Sequence, residues 1–515
     1  MAEMGFWNFA QQDPEKLALV DPGERLWTRG ELLEKANQIA HGLRAAGLGQ
    51  GDCVAVVLEN CAEFYQIHLA VTQLGMYMTP INNHLTGPEI AYIVQDSGAK
   101  IFFGSAQFSK ACQAAREELD FPTQNAFSVG PVPGFRPMEE LTDGQPTALP
   151  EDRLAGQVMN YTSGTTGRPK GVRRGLAPLS PDLVATLTTG FLGMFGLQPE
   201  DDNVHFCGSP LYHTAVLVFS SSALHLGHSV VLVDKWIPED MLRRIDKYRV
   251  THSHMVPTQF HRLLKLPQED RDRYDMSSLR TMIHAAAPCP IETKWKMLEW
   301  WGDTIYEYYA ATEGGGTLVT PEEWRKKPGT VGKPWANSDI KIYDEEGNEL
   351  GIGAVGTVYM LLGQADFEYK DAGQKTRDNR IGNYFTVGDV GELDEDGYLF
   401  LRDRKTDMII SGGANIYPAE IEAELIQHPK VADVAVFGIP NDDWGEEIKA
   451  VIQPIDGQAS SNELSKEIFD WCSGRLAKMK TPRSIDFLDE LPRDPNGKLY
   501  KRKLRDPYWE GRSQI

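Results

Sequence analysis

The sequence predicts an α/β protein with a large N-terminal body and a smaller α+β domain behind it. Three observations predict this. Helical and buried-strand patterns alternate in the first hundred residues and again from about 200 to 310. Short strands separated by Gly and Asp turns follow from 329 to 401, and a fresh α+β pattern starts at Asp407.

Taken in order, Thr28 and Glu31 have capping-box spacing, and Leu32, Leu33, Ala36, Ile39, Ala40 and Leu43 make one apolar helical face that stops at Gly47. Cys53 to Leu58 reads as a buried strand. A helix follows from Ala62 to Leu74, then a helix over Pro88 to Gln95 and a strand over Lys100 to Phe103. A strand–helix–strand rhythm of this kind makes a parallel sheet covered by helices. Ser229 to Val233 and Val250 to Met255 are the strands of a second such layer. The segments SDIKIYDEEGNELG and GELDEDGYLFLR suit a β-rich subdomain. Past it come a strand at Val434 to Phe437 and a capped helix near Ser460 and Glu463. The boundary falls in the charged stretch 402–406, which gives a domain over 1–401, a hinge over 402–406 and a second domain over 407–515.

At 515 residues the chain has room for several domains, and its 41% apolar and 24% charged residues are an ordinary globular balance. The formal charge of −21 repels a phosphate backbone, so nucleic acid is not an expected partner. The N-terminus MAEMGFWNFA lacks the cationic and apolar regions of a secretory signal, and there is no apolar run of membrane-spanning length. The six cysteines are scattered without a CxxC pair, as expected of reduced thiols in a cytoplasmic protein. His252 and His254 have no Cys or carboxylate at zinc-ligand spacing.

The strongest chemical signal is YTSGTTGRPKG at 161–171. Its glycines Gly164 and Gly167 let backbone amides approach a phosphate, the hydroxyls of Thr162, Ser163, Thr165 and Thr166 add donors, and Lys170 supplies a charge. The spacing is not that of a Walker A loop. Further along stand PLYHT (210–214), YEYYAATEGG (306–315), GTVGKP (329–334), YFTVGD (384–389), DRKTDMIISGGANIYPAEIE (403–422) and LPRDPNGK (491–498).

These seven strings, in this order over about two thirds of the chain, resemble the adenylate-forming superfamily of acyl-CoA synthetases, amino-acid adenylation domains and firefly luciferase. The resemblance implies an N-terminal domain of two doubly wound α/β subdomains and a small β-barrel-like subdomain, with a mobile α+β C-terminal domain. It implies an ATP-dependent carboxylic acid:CoA ligase that forms an acyl-AMP and then a thioester. ATP, Mg²⁺ and coenzyme A would be its cofactors and a fatty, short- to medium-chain or aromatic acid its substrate; a homodimer is left open.

By the same resemblance Tyr309 would lie against adenine, Thr312 would bond the α-phosphate, and Glu313 with Thr166 would hold Mg²⁺. Asp389 would accept the ribose hydroxyls and Arg404 would bond the ribose, the alternative for Arg404 being a surface pair with Asp403 or Asp407. Lys498 would be the catalytic lysine of adenylation. His213 and Ala310 would line the acyl pocket, and Gly412 and Gly413 the pantetheine tunnel. Trp444 resembles a tryptophan that meets the CoA adenine in the 4-chlorobenzoate CoA ligase branch, with packing as the alternative. Two departures stand out. Val387 occupies a position where a Thr is usual, with Thr386 one place earlier, and Thr406 occupies the pivot, where an Asp or Lys is usual. The chain ends soon after Lys498, so no fused carrier domain is expected. The rival readings are transfer of the acyl group to a separate carrier protein, luciferase-type oxidation of an unusual substrate, and a catalytically silent nucleotide binder. Amino-acid activation is disfavoured, because the segment after Pro210 shows His213 and no obvious acid to pair an amine.

Overall fold

The computed structural model describes residues 4–162, 169–199, 202–311, 314–361, 368–369, 379–493 and 499–510. The chain divides into two compact units: residues 1–255, 266–283 and 366–378 form one, and residues 256–265, 284–365 and 379–515 the other.

Among the described residues the first unit has strands in two largely parallel sheets and in a small antiparallel one. Strand β1 is Leu17–Val20 and helix α1 is Arg29–Ala45. The expected capping box closes this helix: the Glu31 amide donates to Thr28 Oγ1 at 3.2 Å and the Thr28 amide to Glu31 Oε2 at 2.9 Å. Strand β2 (Cys53–Val56), α2 (Ala62–Thr72), β3 (Tyr77–Pro80), α3 (Gly87–Ser97), β4 (Ala99–Ser105) and β5 (Ala126–Val129) follow. The order β5-β4-β2-β3 is parallel throughout. Its strands read as continuous apolar runs because helices cover both faces. Strands β6 (Asn160–Thr162) and β7 (Lys170–Arg173) form an antiparallel hairpin.

The second sheet is built from β8 (Val204–Cys207), β9 (Ser229–Leu232) and β10 (His252–Met255), with α4 (Thr214–His225) between β8 and β9. Strand β1 joins it, giving the parallel order β10-β8-β9-β1. The N-terminal strand thus belongs to the later of the two layers, a crossover that local patterning does not reveal. One continuous core, including Leu19, Leu32, Val54, Ile67, Leu217 and Val230, lies beneath these elements.

The second unit includes helix α5 (Ile291–Trp301) and the hairpin β11 (Ile305–Ala311) and β12 (Gly314–Val319). The β-rich stretch forms an antiparallel sheet that includes β13 (Ile340–Tyr343), β14 (Gly356–Leu361), β15 (Asp389–Leu393) and β16 (Leu399–Arg404) over a core of Ile340, Ile342, Val358, Met360 and Leu399. In the GTVGKP string, Gly332 has φ 100° and a Cβ there would stand 2.0 Å from the Leu318 carbonyl oxygen, so this motif is a close backbone approach.

The expected α+β domain comprises β17 (Ile409–Ser411), β18 (Ala414–Ile416), α6 (Pro418–Leu425), a long hairpin of β19 (Val431–Asn441) and β20 (Gly445–Pro454), α7 (Asn462–Cys472), β21 (Ser484–Phe487) and α8 (Lys501–Trp509). Ser461 caps α7, one place later than the sequence suggests, by accepting the Leu464 amide at 3.1 Å. Its core is separate, with Ile409, Ile421, Val436, Ile448 and Ile468 among its members. Among the described residues no helix is long and apolar enough to cross a membrane.

Candidate active site

Within the second unit, Tyr309 stands on β11 and its hydroxyl donates to Asp389 Oδ2 at 2.6 Å. Asp389 begins β15 and faces Arg404 across the β15–β16 ladder, where Arg404 Nε lies 3.4 Å from Asp389 Oδ1. Arg404 therefore pairs with Asp389 and not with Asp403 or Asp407. Asp389 is buried, whereas the Arg404 side chain is 46% exposed. A carboxylate offers about four acceptor sites, so two contacts leave roughly two for hydroxyls.

The loop that presents Asp389 accounts for the departure at 386–387. The buried Thr386 hydroxyl accepts the Gly388 amide at 3.0 Å, and Gly388, with φ 86°, accepts from the Lys405 amide at 2.9 Å. Val387 packs against the β-sheet core instead. The hydroxyl is thus spent on the turn that aims Asp389.

Behind Tyr309, two residues earlier on β11, Glu307 meets Lys294 of α5 at 2.6 Å, with His284 Nε2 3.5 Å away. Lys294 is fully buried and its ammonium stands 4.7 Å from the centre of the Trp324 ring. Burial pushes the Glu307 carboxyl up and Lys294 pulls it back. The sequence reading missed this pair; its one signal is an acid inside the aromatic strand IYEYYAA. Ala310, on the same strand, pairs in register with Gly316 of β12.

Lys170 and His213 belong to the first unit. Lys170 starts β7 opposite Thr162 of β6, so the first and last described parts of the YTSGTTGRPKG string are paired in one ladder. Helix α3 is bonded to the chain at Tyr161, whose hydroxyl donates to Asp96 at 2.5 Å, and at Pro169, whose carbonyl accepts from Tyr92 at 3.2 Å. Residues Ser163, Gly164, Thr165, Thr166 and Gly167 and the Thr162 side chain lie outside the described residues, as do Thr312, Glu313 and Lys498. His213 is the N-cap residue of α4, its ring 4.4 Å from that of Tyr212. The loop leading to it is fixed by buried Asn60, which donates to the Ser209 and Val233 carbonyls at 2.9 Å and accepts the Leu211 amide at 2.8 Å.

In the small domain Gly412 and Gly413 turn the chain between β17 and β18 with φ 59° and 79°. The Gly412 amide donates to the Trp444 carbonyl at 2.8 Å, and a Cβ on Gly412 would stand 2.5 Å from the indole ring. Only glycine permits that approach. Trp444 itself is 58% exposed, so it covers the glycine turn without entering a core. Thr406 lies in the turn after β16, and its carbonyl accepts from Arg505 Nη1 at 3.1 Å. On either side of Lys498, Arg493 and Leu499 form an antiparallel bridge. Among the described residues no group of three or more His, Cys, Asp or Glu could hold a metal.

The AMP-binding enzyme family model matches residues 6–361, and the model of the AMP-binding enzyme C-terminal domain matches 420–498. The chain is 30% identical to a fatty acid–[acyl-carrier-protein] ligase of Streptomyces coeruleorubidus, over 97% of this chain and 95% of the relative. It is 31% identical to a long-chain-fatty-acid–CoA ligase of Mycobacterium tuberculosis, over 97% of each chain. The crystal structure of an anthranilate CoA ligase in complex with anthranoyl-AMP superposes with a TM-score of 0.85 at 27% identity, covering 99% of this chain and 98% of that one. The fold, with its large N-terminal and small C-terminal domains, is that of the adenylate-forming enzymes. The chain belongs to the AMP-binding enzyme family.

Proposed function

We propose that the protein is an ATP-dependent carboxylic acid:CoA ligase acting in the cytoplasm on a fatty or aromatic acid. The observation that carries the reading is the buried Asp389 carboxylate held between Tyr309 and Arg404, in a chain of the AMP-binding family.

In this reading Asp389 accepts the ribose hydroxyls and the Tyr309 ring lies along the adenine. The amides of residues 162–169, with Lys170, receive the charge that builds on the phosphates as the substrate carboxylate attacks the α-phosphorus, the bond to the β-phosphate breaks and pyrophosphate departs. Lys498 pairs with both the carboxylate and the α-phosphate while they join. Thr166 and Glu313 offer the hard oxygen donors that Mg²⁺ takes, and the ion would add charge neutralisation on the phosphates. Once the small domain has turned about Thr406, Gly412 and Gly413 line the path of the CoA thiol, with Trp444 at its mouth. Its sulfur attacks the acyl carbonyl and AMP leaves. His213 and Ala310 border the acyl group, and the Ala310 methyl narrows that slot.

Acid-dependent exchange of labelled pyrophosphate into ATP, followed by CoA-dependent release of AMP across a panel of acids, tests the assignment. Exchange without any CoA-dependent release would favour transfer to a carrier protein, the acceptor named for the Streptomyces relative. The absence of both would leave a nucleotide binder.

A further inference from the structure

The proposed pivot at Thr406 separates two groups of charged residues, and that separation assigns a role to a residue beside the ribose-binding arginine. On the far side of the pivot, Lys501 of α8 pairs with Glu422 of α6 at 2.8 Å, and Glu422 Oε1 accepts the Val436 amide of β19 at 2.7 Å. The Lys501 side chain is only 13% exposed. Helix α6 and the hairpin share one core through Ile421, Leu425, Val436 and Ile448, and Leu504 of α8 packs against the cluster of Ala435 and Phe437 on the same hairpin.

Asp403 lies on the near side, at the end of β16, in register with Val390 of β15. Its Oδ1 accepts the Arg404 amide at 2.7 Å, but its Oδ2 reaches over the pivot to the Ala419 amide at 2.8 Å, in the first turn of α6. A carboxylate at a helix N-terminus, bonded to a free amide, is a favourable contact. Arg505, one turn along α8 from Lys501, bonds the carbonyl of the pivot residue itself, whose direction is set by ψ of Thr406.

The charges agree with this geometry. Burial would lower the Lys501 ammonium, but Glu422, Asp403 and Asp407 outweigh it and hold it up. Burial raises the Asp403 carboxyl, Lys501 and the Ala419 amide oppose that, and Glu422 adds to it. Beyond them, Glu446 and Asp506 face Arg505.

We propose that Asp403 is a positioning residue whose carboxylate, bonded across the Thr406 pivot to the first turn of α6, locks the small domain in one of its two working arrangements. The proposal rests on the two-step ligase reading. A turn about Thr406 carries Ala419, Glu422, Lys501 and Arg505 together and leaves Asp403 behind, so this contact must break once in each cycle. Substituting Asp403 leaves the Lys501–Glu422 pair in place and removes one of the three carboxylates that support the Lys501 charge.

The test measures both half-reactions in the full-length enzyme: pyrophosphate exchange for adenylation, and thioester formation from synthetic acyl-AMP and CoA. Asp403→Ala is expected to shift the ratio of the two rates by about tenfold, the size of one charge-assisted hydrogen bond. One rate falls while the other holds or rises. Asp403→Asn, which keeps an acceptor oxygen, shifts the ratio less. Amide hydrogen exchange over residues 403–420 should quicken in Asp403→Ala and stay unchanged over the first unit. An equal change in both rates, an unchanged ratio or unchanged exchange overturns the proposal. A wild-type chain lacking both half-reactions would instead remove the ligase reading, and the exchange measurement would still decide whether Asp403 holds α6.

Discussion

The Tyr309 hydroxyl donates to Asp389 at 2.6 Å, joining β11 to the first residue of β15 across 80 positions of sequence. One hydrogen bond thus fixes the aromatic ring proposed for the base against the carboxylate proposed for the sugar. Tyr309→Phe keeps the ring and removes the donor. Its KM for ATP should rise about three- to tenfold with little change in melting temperature. Asp389→Ala should raise it further and slow pyrophosphate exchange. A normal ATP KM with a large loss of melting temperature in either variant would make the pair a structural clasp only.

Lys498→Ala should lower adenylation by roughly a hundred- to a thousandfold, as loss of a positioned electrostatic group does. Thioester formation from supplied acyl-AMP should stay near the wild-type rate. Equal losses in both steps would contradict the separate service of the two half-reactions.

Gly412→Ala places a methyl 2.5 Å from the Trp444 ring and puts a Cβ at φ 59°. The turn between β17 and β18 must then distort, so the thioester step should slow while pyrophosphate exchange is spared. Trp444→Ala combined with Gly412→Ala relieves the clash but not the backbone strain, and should recover only part of the rate. Full recovery would show that strain is unimportant there.

Lys294→Met should leave Glu307 buried beside an apolar neighbour and cost about 3–5 kcal/mol of stability. The double variant Lys294→Met/Glu307→Leu should recover most of it. Thermal unfolding followed by circular dichroism measures both; a single variant as stable as the wild type would show that water reaches Glu307.

Acid should unfold the first unit through its buried histidines. Burial lowers His205 to about 3 and His254 to about 4, and His252 falls as well, with His205 and His228 adding to its burial. The His205 and His252 rings stand 4.8 Å apart, so protonating one disfavours protonating the other. These groups are held neutral when folded and take up protons near 6.5 when unfolded. Their contribution is present above pH 6.5 and is lost as pH falls toward 4. Melting temperature should drop steeply over that window, and less steeply in His205→Asn. Equal slopes would remove His205 from the acid response.

Much of this was legible in the sequence, for identifiable reasons. The helix cap at Thr28 depends on Glu31, three residues away, the cap of α7 stands at Ser461, one place from the expected Ser460, and the parallel strands announce themselves as apolar runs. The departure at Val387 could be seen but not explained, because the role of Thr386 depends on a turn whose shape is fixed by Gly388 and Lys405. Glu307 with Lys294, and Asp403 with the amide of Ala419, could not be found at all. Such pairs follow from how elements stack, and a charged residue looks the same in a sequence whether its partner is a lysine or water. The GTVGKP string was read for its family likeness, while its Gly332 answers to a steric limit at the Leu318 carbonyl.

Among the described residues Trp444 is the tryptophan left most open to solvent, and its indole rests on the glycine turn that the CoA thiol is proposed to pass. The enzyme therefore carries its own optical reporter. Emission from this indole should lie at the red edge of the protein's fluorescence and be open to quenching by iodide. Anything that closes over the turn should shift it blue and shield it, which allows the catalytic cycle to be followed in real time without a label.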